Sequence, residues 1–488
     1  MMARGVWQGR LEKIDDYRWR IPKTYQPGMR VPGLIYADER LLRDIKKEQS
    51  LNQVANVATL PGIVKYSLAM PDIHWGYGMP IGGVAATDVE KGGVIGAGLV
   101  GYDINCGVRL VRTNLKLDDV QPRLDELVSA LFAYVPSGVG VGGKIKASGR
   151  DEENLLIKGS RWAVEKGFGR PEDLEVTEEN GALKGADPSQ LSERALKRGL
   201  SQAGTLGSGN HFLEIQVIDE IYDQEVASHL NLSRGLVTMM IHSGSRGLGY
   251  QVCDDYAKSM VRSVSKYNIS VPDRQLACVP LNSPEGKSYF GAMACAANYA
   301  WANRQCLMHL AREVFERIFN TGPKELGMDL IYDVAHNIAK LERHKVDGKE
   351  RLLCVHRKGA TRAFPAGHPD VPERYKKIGQ PVIIPGDMGR NSYLLVGTDR
   401  AMEETFGTVC HGAGRIMSRT AAIKTIKSWV LEKELKDKGI IVRAKGRATL
   451  AEEAPQAYKD VNDVVRVVHN AGIGRKICRM RPLGVIKG

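Results

Sequence analysis

The sequence has 488 residues, 43% hydrophobic and 26% charged, with a formal net charge of +13 and an isoelectric point near 9.2. No run approaches the roughly 18–20 apolar residues of a membrane span, and the opening MMARGVWQGRLEK lacks the apolar stretch of a secretory signal; this excludes a membrane protein and predicts a cytoplasmic one. The positive surplus favours polyanionic partners, nucleic acid first, while eight scattered cysteines without a CxxC pair exclude zinc ribbons and thioredoxin-like chemistry.

Along the chain, residues 36–60 have helical apolar spacing. Residues 61–110 are rich in glycine and hold short β-branched runs, the pattern of strands and tight turns. Within them, VGYDINCGVRL places Asp103 and Cys106 three apart. Residues 118–135 read as a helix behind an aspartate cap. PSGVGVGGKIKASG (136–149) supplies Gly138, Gly143 and Lys144 of a GxxxxGK phosphate loop, but Ile145 stands where Ser or Thr should hold magnesium, so the stretch is read as a decoy.

Residues 150–200 are polar and read as a surface insertion. HFLEIQVIDEIY (211–222) and GLVTMMIHSG (235–244) read as strands of a buried sheet, 285–320 as a long alanine-rich helix, and 419–439 as a helix ended by glycine. After Asp463 no acid occurs, while Arg466, Arg475, Lys476, Arg479, Arg481 and Lys487 follow. Residues 464–488 thus read as a basic segment, apolar enough in VVRVV and PLGVIKG to dock on the body and face phosphate. No repeat or linker divides the chain. The prediction is one large mixed α/β domain over 1–488, with central β-sheets flanked by helices.

Four of the eleven histidines, His211, His242, His336 and His411, carry the chemical signal. Three stand where an apolar run meets a glycine-rich turn, the place where strand ends present side chains to a cleft. Each alone reads as a satisfied core histidine. Together with Asp103 and Cys106 they form a metal-ligand set of imidazole, thiolate and carboxylate. His74 is a fifth candidate; His229, His309, His344, His356, His368 and His469 lack the setting. The residues point to a metal-assisted site facing phosphates and leave the reaction open.

Seven segments then carry a resemblance: PDIHWGYGMPIGG (71–83), GYDINCGVRL (101–110), LGSGNHFLE (206–214), IHSGSRGLG (241–249), DVAHNIA (333–339), VIIPGDMG (382–389) and CHGAGR (410–415), with the C-terminal VIKG. In that order, over nearly the whole chain, they resemble the RtcB family of RNA ligases. The resemblance implies joining of RNA 3′-phosphate or 2′,3′-cyclic phosphate ends to 5′-hydroxyl ends with GTP and two manganese ions, in tRNA splicing and RNA repair. It implies that Cys106 bridges the two ions, with Asp103 and His211 on one and His242 and His336 on the other. His411 is implied as the guanylylated nucleophile.

Asn210, Phe212, Glu214, Asn337, Ser392, Gly412, Ala413, Gly414, Tyr458 and Lys487 are implied as nucleotide contacts, and Arg246 as an RNA-phosphate contact. RNA, with cleaved tRNA halves foremost, is the implied substrate, and an archease-type activator is implied for some members. Asp387 departs from the family pattern, in which some members have a serine there and small residues where this chain has Arg390 and Asn391; a carboxylate beside a triphosphate repels it, so Asp387 is not carried over as a nucleotide contact. By affinity order a thiolate site takes zinc tightly, so manganese comes from the resemblance alone, and zinc is expected to occupy the site while supporting ligation poorly. Two other readings use the same residues: a metal-dependent phosphoesterase, and a non-catalytic RNA-binding protein with a structural metal.

Overall fold

The computed structural model describes residues 6–488. Two sheets carry the fold. The first has seven strands in the order Glu12–Lys13, Arg18–Ile21, Gly33–Tyr36, Ile63–His74, Ile81–Asp88, Lys349–Lys358, Asn337–Val346. The second runs Asp329–Ala335, Gly107–Lys116, Leu236–Ser243, Phe212–Ile221, Gly474–Lys487, Ser392–Gly397, Pro381–Ile384, and an eighth strand, Ile441–Ala444, joins Gly474–Lys487 in parallel.

The second sheet is buried on both faces, which is why its strands read as apolar runs. Leu394 and Val396 join one core while Tyr393 and Leu395 join the other, the two-residue period of a strand. The Leu124–Tyr134 helix and the end of the 36-residue helix Pro284–Phe319 pack against it. That long helix opens on Ser283, whose hydroxyl accepts from the Gly286 N–H, and on Pro284, a residue suited to a first turn.

Antiparallel pairing decides where the candidate ligands go. The start of one strand lies beside the end of its neighbour. Gly107 pairs with both Ala335 and Ser243, and Phe212 pairs with both His242 and Lys487. Cys106, His211, His242, His336 and Lys487 therefore gather at one end of the sheet, although most of the chain separates the first from the last.

A buried ion network fastens that end. Arg304, on the long helix, donates to the carbonyls of Asn105 (2.7 Å) and Ser243 (2.9 Å) and to both oxygens of Asp333. Arg109 donates to Asp333 from the other side at 2.7 Å, and all three side chains are fully buried. Burial alone would raise the Asp333 carboxyl, but the two guanidinium groups outweigh it and hold it low. Gly107 is required at the clamp: a Cβ there would stand 2.2 Å from the Val334 carbonyl oxygen and 2.9 Å from the Arg304 guanidinium.

Several sequence expectations change in detail. Residues 36–60 form two helices, Glu39–Ile45 and Ser50–Val57, after a strand that ends at Tyr36; the apolar phase breaks across the polar 46–49. Residues 419–439 likewise split into Arg419–Thr425 and Ser428–Asp437, with Ile426 and Lys427 extended between them. The 150–200 stretch is not a surface insertion throughout. It forms helices whose Leu155, Leu156, Trp162 and Ala163 share a core with the long helix. Acids that read as solvated are internal counter-ions there: Asp173 meets Arg312 at 2.7 Å, Glu178 meets Lys340 at 2.5 Å and Glu179 meets Arg362 at 2.8 Å.

The basic C-terminal segment is a helix, Val461–Asn470, and then an interior strand, Gly474–Lys487, not a tail laid on a finished body. Of its six cations, three arginines are paired within the fold: Arg466 with Asp38, Arg475 with Asp223 and Arg479 with Asp219. Of the six, only Lys487 reaches the main cavity. Lys144 of the phosphate-loop decoy lies over the Tyr134 ring, 3.3 Å from its centre. Among the described residues, no helix is long and apolar enough to cross a membrane.

Replacing Asp333 by Asn would leave two guanidinium groups buried without the one carboxylate they share. Such uncompensated burial costs about 3–5 kcal/mol. The urea midpoint of Asp333→Asn is expected to fall accordingly; an unchanged midpoint would mean the network carries no such weight.

Candidate active site

The strand ends open into a cavity of about 600 Å³. Asp103, Cys106, Asn210, Phe212, Glu214, His242, His336, Asn337, Asp387, His411, Gly412, Ala413, Gly414, Tyr458 and Lys487 all line it. His211 lies behind this surface in contact with Cys106, while Ser392 and Arg246 do not line the cavity.

Cys106, His211 and His242 offer ligand atoms that all lie within 4.8 Å of one another. The Cys106 Sγ is 3.0 Å from His242 Nε2 and 3.4 Å from His211 Nε2, and Asp103 Oδ2 is 2.8 Å from His211 Nε2. The His336 ring stands 5.8 Å from that of His242, with both its nitrogens buried and unpartnered. Buried polar atoms are ordinarily bonded, so the two unpartnered His336 nitrogens are donors that could hold a cation.

The electrostatics agree with that donor set. Burial pushes the His242 and His336 imidazoles well down, keeping them neutral, the form that ligates metal. Burial and then the neighbouring Asp103 carboxylate push the Cys106 thiol well up. A thiolate there needs a cation to hold it. Burial alone would raise Asp103, but His211, Arg246 and Cys106 hold it strongly low, so a carboxylate is present beside the sulfur.

His411 enters from a separate element. Its strand, Thr408–Cys410, pairs with Ala360–Arg362, and the Ala360 N–H donates to the His336 carbonyl at 3.1 Å. His336 and His411 are thereby neighbours, with ring centres 5.4 Å apart. Gly359 makes the approach possible: its φ is +60°, and a Cβ would stand 3.1 Å from His411 Cε1. Asn337 braces the same turn, accepting from the Gly359 N–H and donating to the Asp103 carbonyl.

Asp72 lies beneath His411 and went unread in the sequence. Its Oδ2 is 2.5 Å from His411 Nδ1 and also accepts the N–H groups of His411 (3.0 Å) and Gly412 (3.3 Å). Burial would raise this carboxyl, yet His411 and its hydrogen bonds, with Lys459, hold it low. One available signal was an acid inside the apolar strand Ile63–His74. His74 itself turns its Nδ1 to the Asp72 carbonyl at 3.0 Å, and burial drops it to about 3.

Another set of lining residues is bonded together. Lys487 lies 3.6 Å from Glu453 and 5.5 Å from the centre of the Phe212 ring. Arg415 donates to Glu453 and to the Tyr458 hydroxyl. Burial pushes Glu214 up to about 8 despite a hydrogen bond from Gln216 and the nearby Lys487. Burial likewise raises the Asp387 carboxyl against the pull of Arg390, which lies 3.2 Å away. Ser392 accepts from the Gly386 N–H at 3.1 Å, bracing the 385–388 turn from behind. Arg246 is engaged inside the fold, donating to His211 Nδ1 at 2.6 Å.

Comparison with known proteins fits this arrangement. The family described as tRNA-splicing ligase RtcB matches residues 53–488. The chain is 56% identical over 481 residues to a tRNA-splicing ligase RtcB of Archaeoglobus fulgidus, covering 99% of each chain. It is 54% identical over 478 residues to that of Thermococcus kodakarensis and 49% identical over 480 residues to that of Nanoarchaeum equitans, in both cases covering 98% of this chain and 99% of the relative. Matches of this extent leave no segment of the sheet end, the Asp72–His411 pair or the long helix outside the shared region, and the chain belongs to the RtcB family.

Proposed function

We propose that the chain is an RNA ligase of tRNA splicing that joins an RNA 3′-phosphate or 2′,3′-cyclic phosphate end to a 5′-hydroxyl end, using GTP, with His411 carrying the guanylate between them. The observation that carries this reading is the Asp72–His411 contact, with His411 lining the same cavity as the thiol–imidazole cluster. A phosphoesterase would need the cluster and would leave that pair idle.

The chemistry follows from the pair. With the imidazole hydrogen on Nδ1, the nitrogen that faces Asp72, the Nε2 lone pair would be free to attack. Nε2 attacks the α-phosphorus of GTP; the N–P bond forms, the bond to the β-phosphate oxygen breaks, and pyrophosphate departs with the electron pair. The ring becomes positive, and the Asp72 carboxylate offsets that charge. An oxygen of the RNA 3′-phosphate then attacks the same phosphorus, and the N–P electron pair returns to His411. Finally the 5′-hydroxyl oxygen attacks the RNA phosphorus, its proton passes to water, the bond from that phosphorus to the GMP oxygen breaks, and GMP leaves with the electron pair. A cyclic phosphate is first opened by water.

Asp103, Cys106, His211, His242 and His336 would hold two manganese ions, whose charge would neutralise phosphate oxygens during each transfer. With the Gly412 N–H taken by Asp72, Ala413 and Gly414 would turn backbone N–H groups to the nucleotide. Asn210, Phe212, Asn337, Tyr458 and Lys487 would complete its contacts, with Ser392 acting through the 385–388 turn. Glu214 would accept the two N–H donors on the edge of guanine.

Incubation with manganese and α-labelled GTP is expected to label the protein through a bond that acid cleaves and base does not. His411→Ala should lose the label. Asp72→Asn keeps the size but disturbs the tautomer, and is expected to label at least about 100-fold more slowly while still binding GTP. An unlabelled wild-type protein would favour the phosphoesterase reading.

The Glu214 carboxyl adds a pH signature. Its pKa is about 8 without nucleotide, and guanine N–H donors favour the charged form. Binding at pH 7 must therefore release a proton, and affinity should rise with pH until it levels near 8. Calorimetry in buffers of different ionisation heat should count that proton, and Glu214→Gln should abolish it. An uncharged balance in the wild-type protein at pH 7 would remove Glu214 from this role.

A further inference from the structure

The cavity has a wall that the proposed transfers leave without a task. Trp75, Tyr77 and Tyr102 line it. Tyr77 and Tyr102 meet edge to face with centres 5.4 Å apart, and Tyr102 stacks on Tyr250 at 4.8 Å and 29°. Tyr102 directly precedes Asp103, so this aromatic ladder starts at the thiol–imidazole cluster and runs outward to Tyr250, which is exposed. The Arg198 guanidinium lies over the Tyr250 ring, 5.0 Å from its centre.

Trp75 is different. It is 55% exposed, among the most exposed large apolar side chains of the protein. Its backbone is nonetheless braced. Glu48 accepts the Trp75 N–H at 3.1 Å, Gln53 accepts the Gly76 N–H at 3.1 Å and donates to the Gly78 carbonyl, and Gln275 accepts the Gly78 N–H at 2.9 Å. An indole is thus held in the open on a rigid turn that begins one residue after His74 and three after Asp72.

We propose that this wall is a base-stacking site for the single-stranded RNA ends, with the Trp75 indole as the face on which a terminal base lies. The inference rests on the RNA-joining reading above and adds the contact that grips the substrate's bases. Single-stranded ends expose unstacked bases, and proteins hold them on aromatic side chains because every base has a π-face. The occupant is argued from charge and position. The net charge of +13 favours a polyanion, and the wall is continuous with the cluster that would take the end's phosphate. Stacking ignores base identity, which suits an enzyme whose ends differ from one RNA to the next.

The test is a binding cycle on the full chain without GTP. Fluorescence anisotropy is read with two short RNA probes, one ending in a 3′-phosphate and one beginning with a 5′-hydroxyl, each made with an intact and an abasic terminal nucleotide. Trp75→Ala is expected to weaken an intact probe roughly tenfold, the scale of one lost base stack. Trp75→Phe should restore most of it, and the abasic probe should bind the wild type and Trp75→Ala alike.

Coupling on either probe supports the site and says which end it holds. Equal loss on intact and abasic probes, or no loss with either, overturns it. GTP labelling of the same samples reads the His411 transfer separately. Label with no coupling would sink the stacking wall alone, and coupling with no label would sink the transfer and leave the wall.

Discussion

The site depends on one buried arrangement: two arginines sharing Asp333 beneath the ends of three strands. A buried ion network is weak evidence of stability, because desolvation offsets much of the attraction. Its value here is positional. Arg304 spends its donors on the carbonyls of Asn105 and Ser243 as well as on Asp333. Those atoms belong to the turn before Cys106, the residue after His242 and the strand before His336. One side chain on one helix therefore fixes the spacing of three candidate ligands. A site built on strand ends and a buried guanidinium holds its geometry more closely than one built on free loops.

The proposed transfer residue is supplied from a different part of the fold. His411 follows a short strand that belongs to the packing around the first sheet, and it meets the cluster through the Ala360–His336 hydrogen bond and the bare backbone of Gly359. Charge is handled in a matching way. The imidazoles of the cluster are kept neutral by burial, Asp72 is kept ionised by its donors, and Glu214 is kept protonated by burial in the absence of a ligand. Asp103 and Glu214, which both line the cavity, thus carry opposite protonation states, the usual mark of groups with separate roles.

Much of this was legible in the sequence. Residue type and glycine context picked out Cys106, His211, His242, His336 and His411, because strand-end chemistry leaves a local trace. The long alanine-rich helix and the buried strands of 211–222 and 235–244 were legible for the same reason: periodicity is a short-range property. What escaped was charge pairing over long distances in the chain. Asp173, Glu178 and Glu179 looked solvated because their partners Arg312, Lys340 and Arg362 lie far along the sequence. The C-terminal cations looked free for a polyanion because Asp38, Asp219 and Asp223 are equally remote. Asp72 was hidden differently. It sits inside a segment that was read for its histidine, and its partner is more than three hundred residues away.

The most direct measurement is an anomalous-difference map from crystals soaked in manganese, collected on either side of its absorption edge. The account predicts density between Cys106 and the imidazoles of His211, His242 and His336, on the cavity side that His411 shares. A map with no peak at that sulfur, or with manganese only on surface carboxylates, would contradict it.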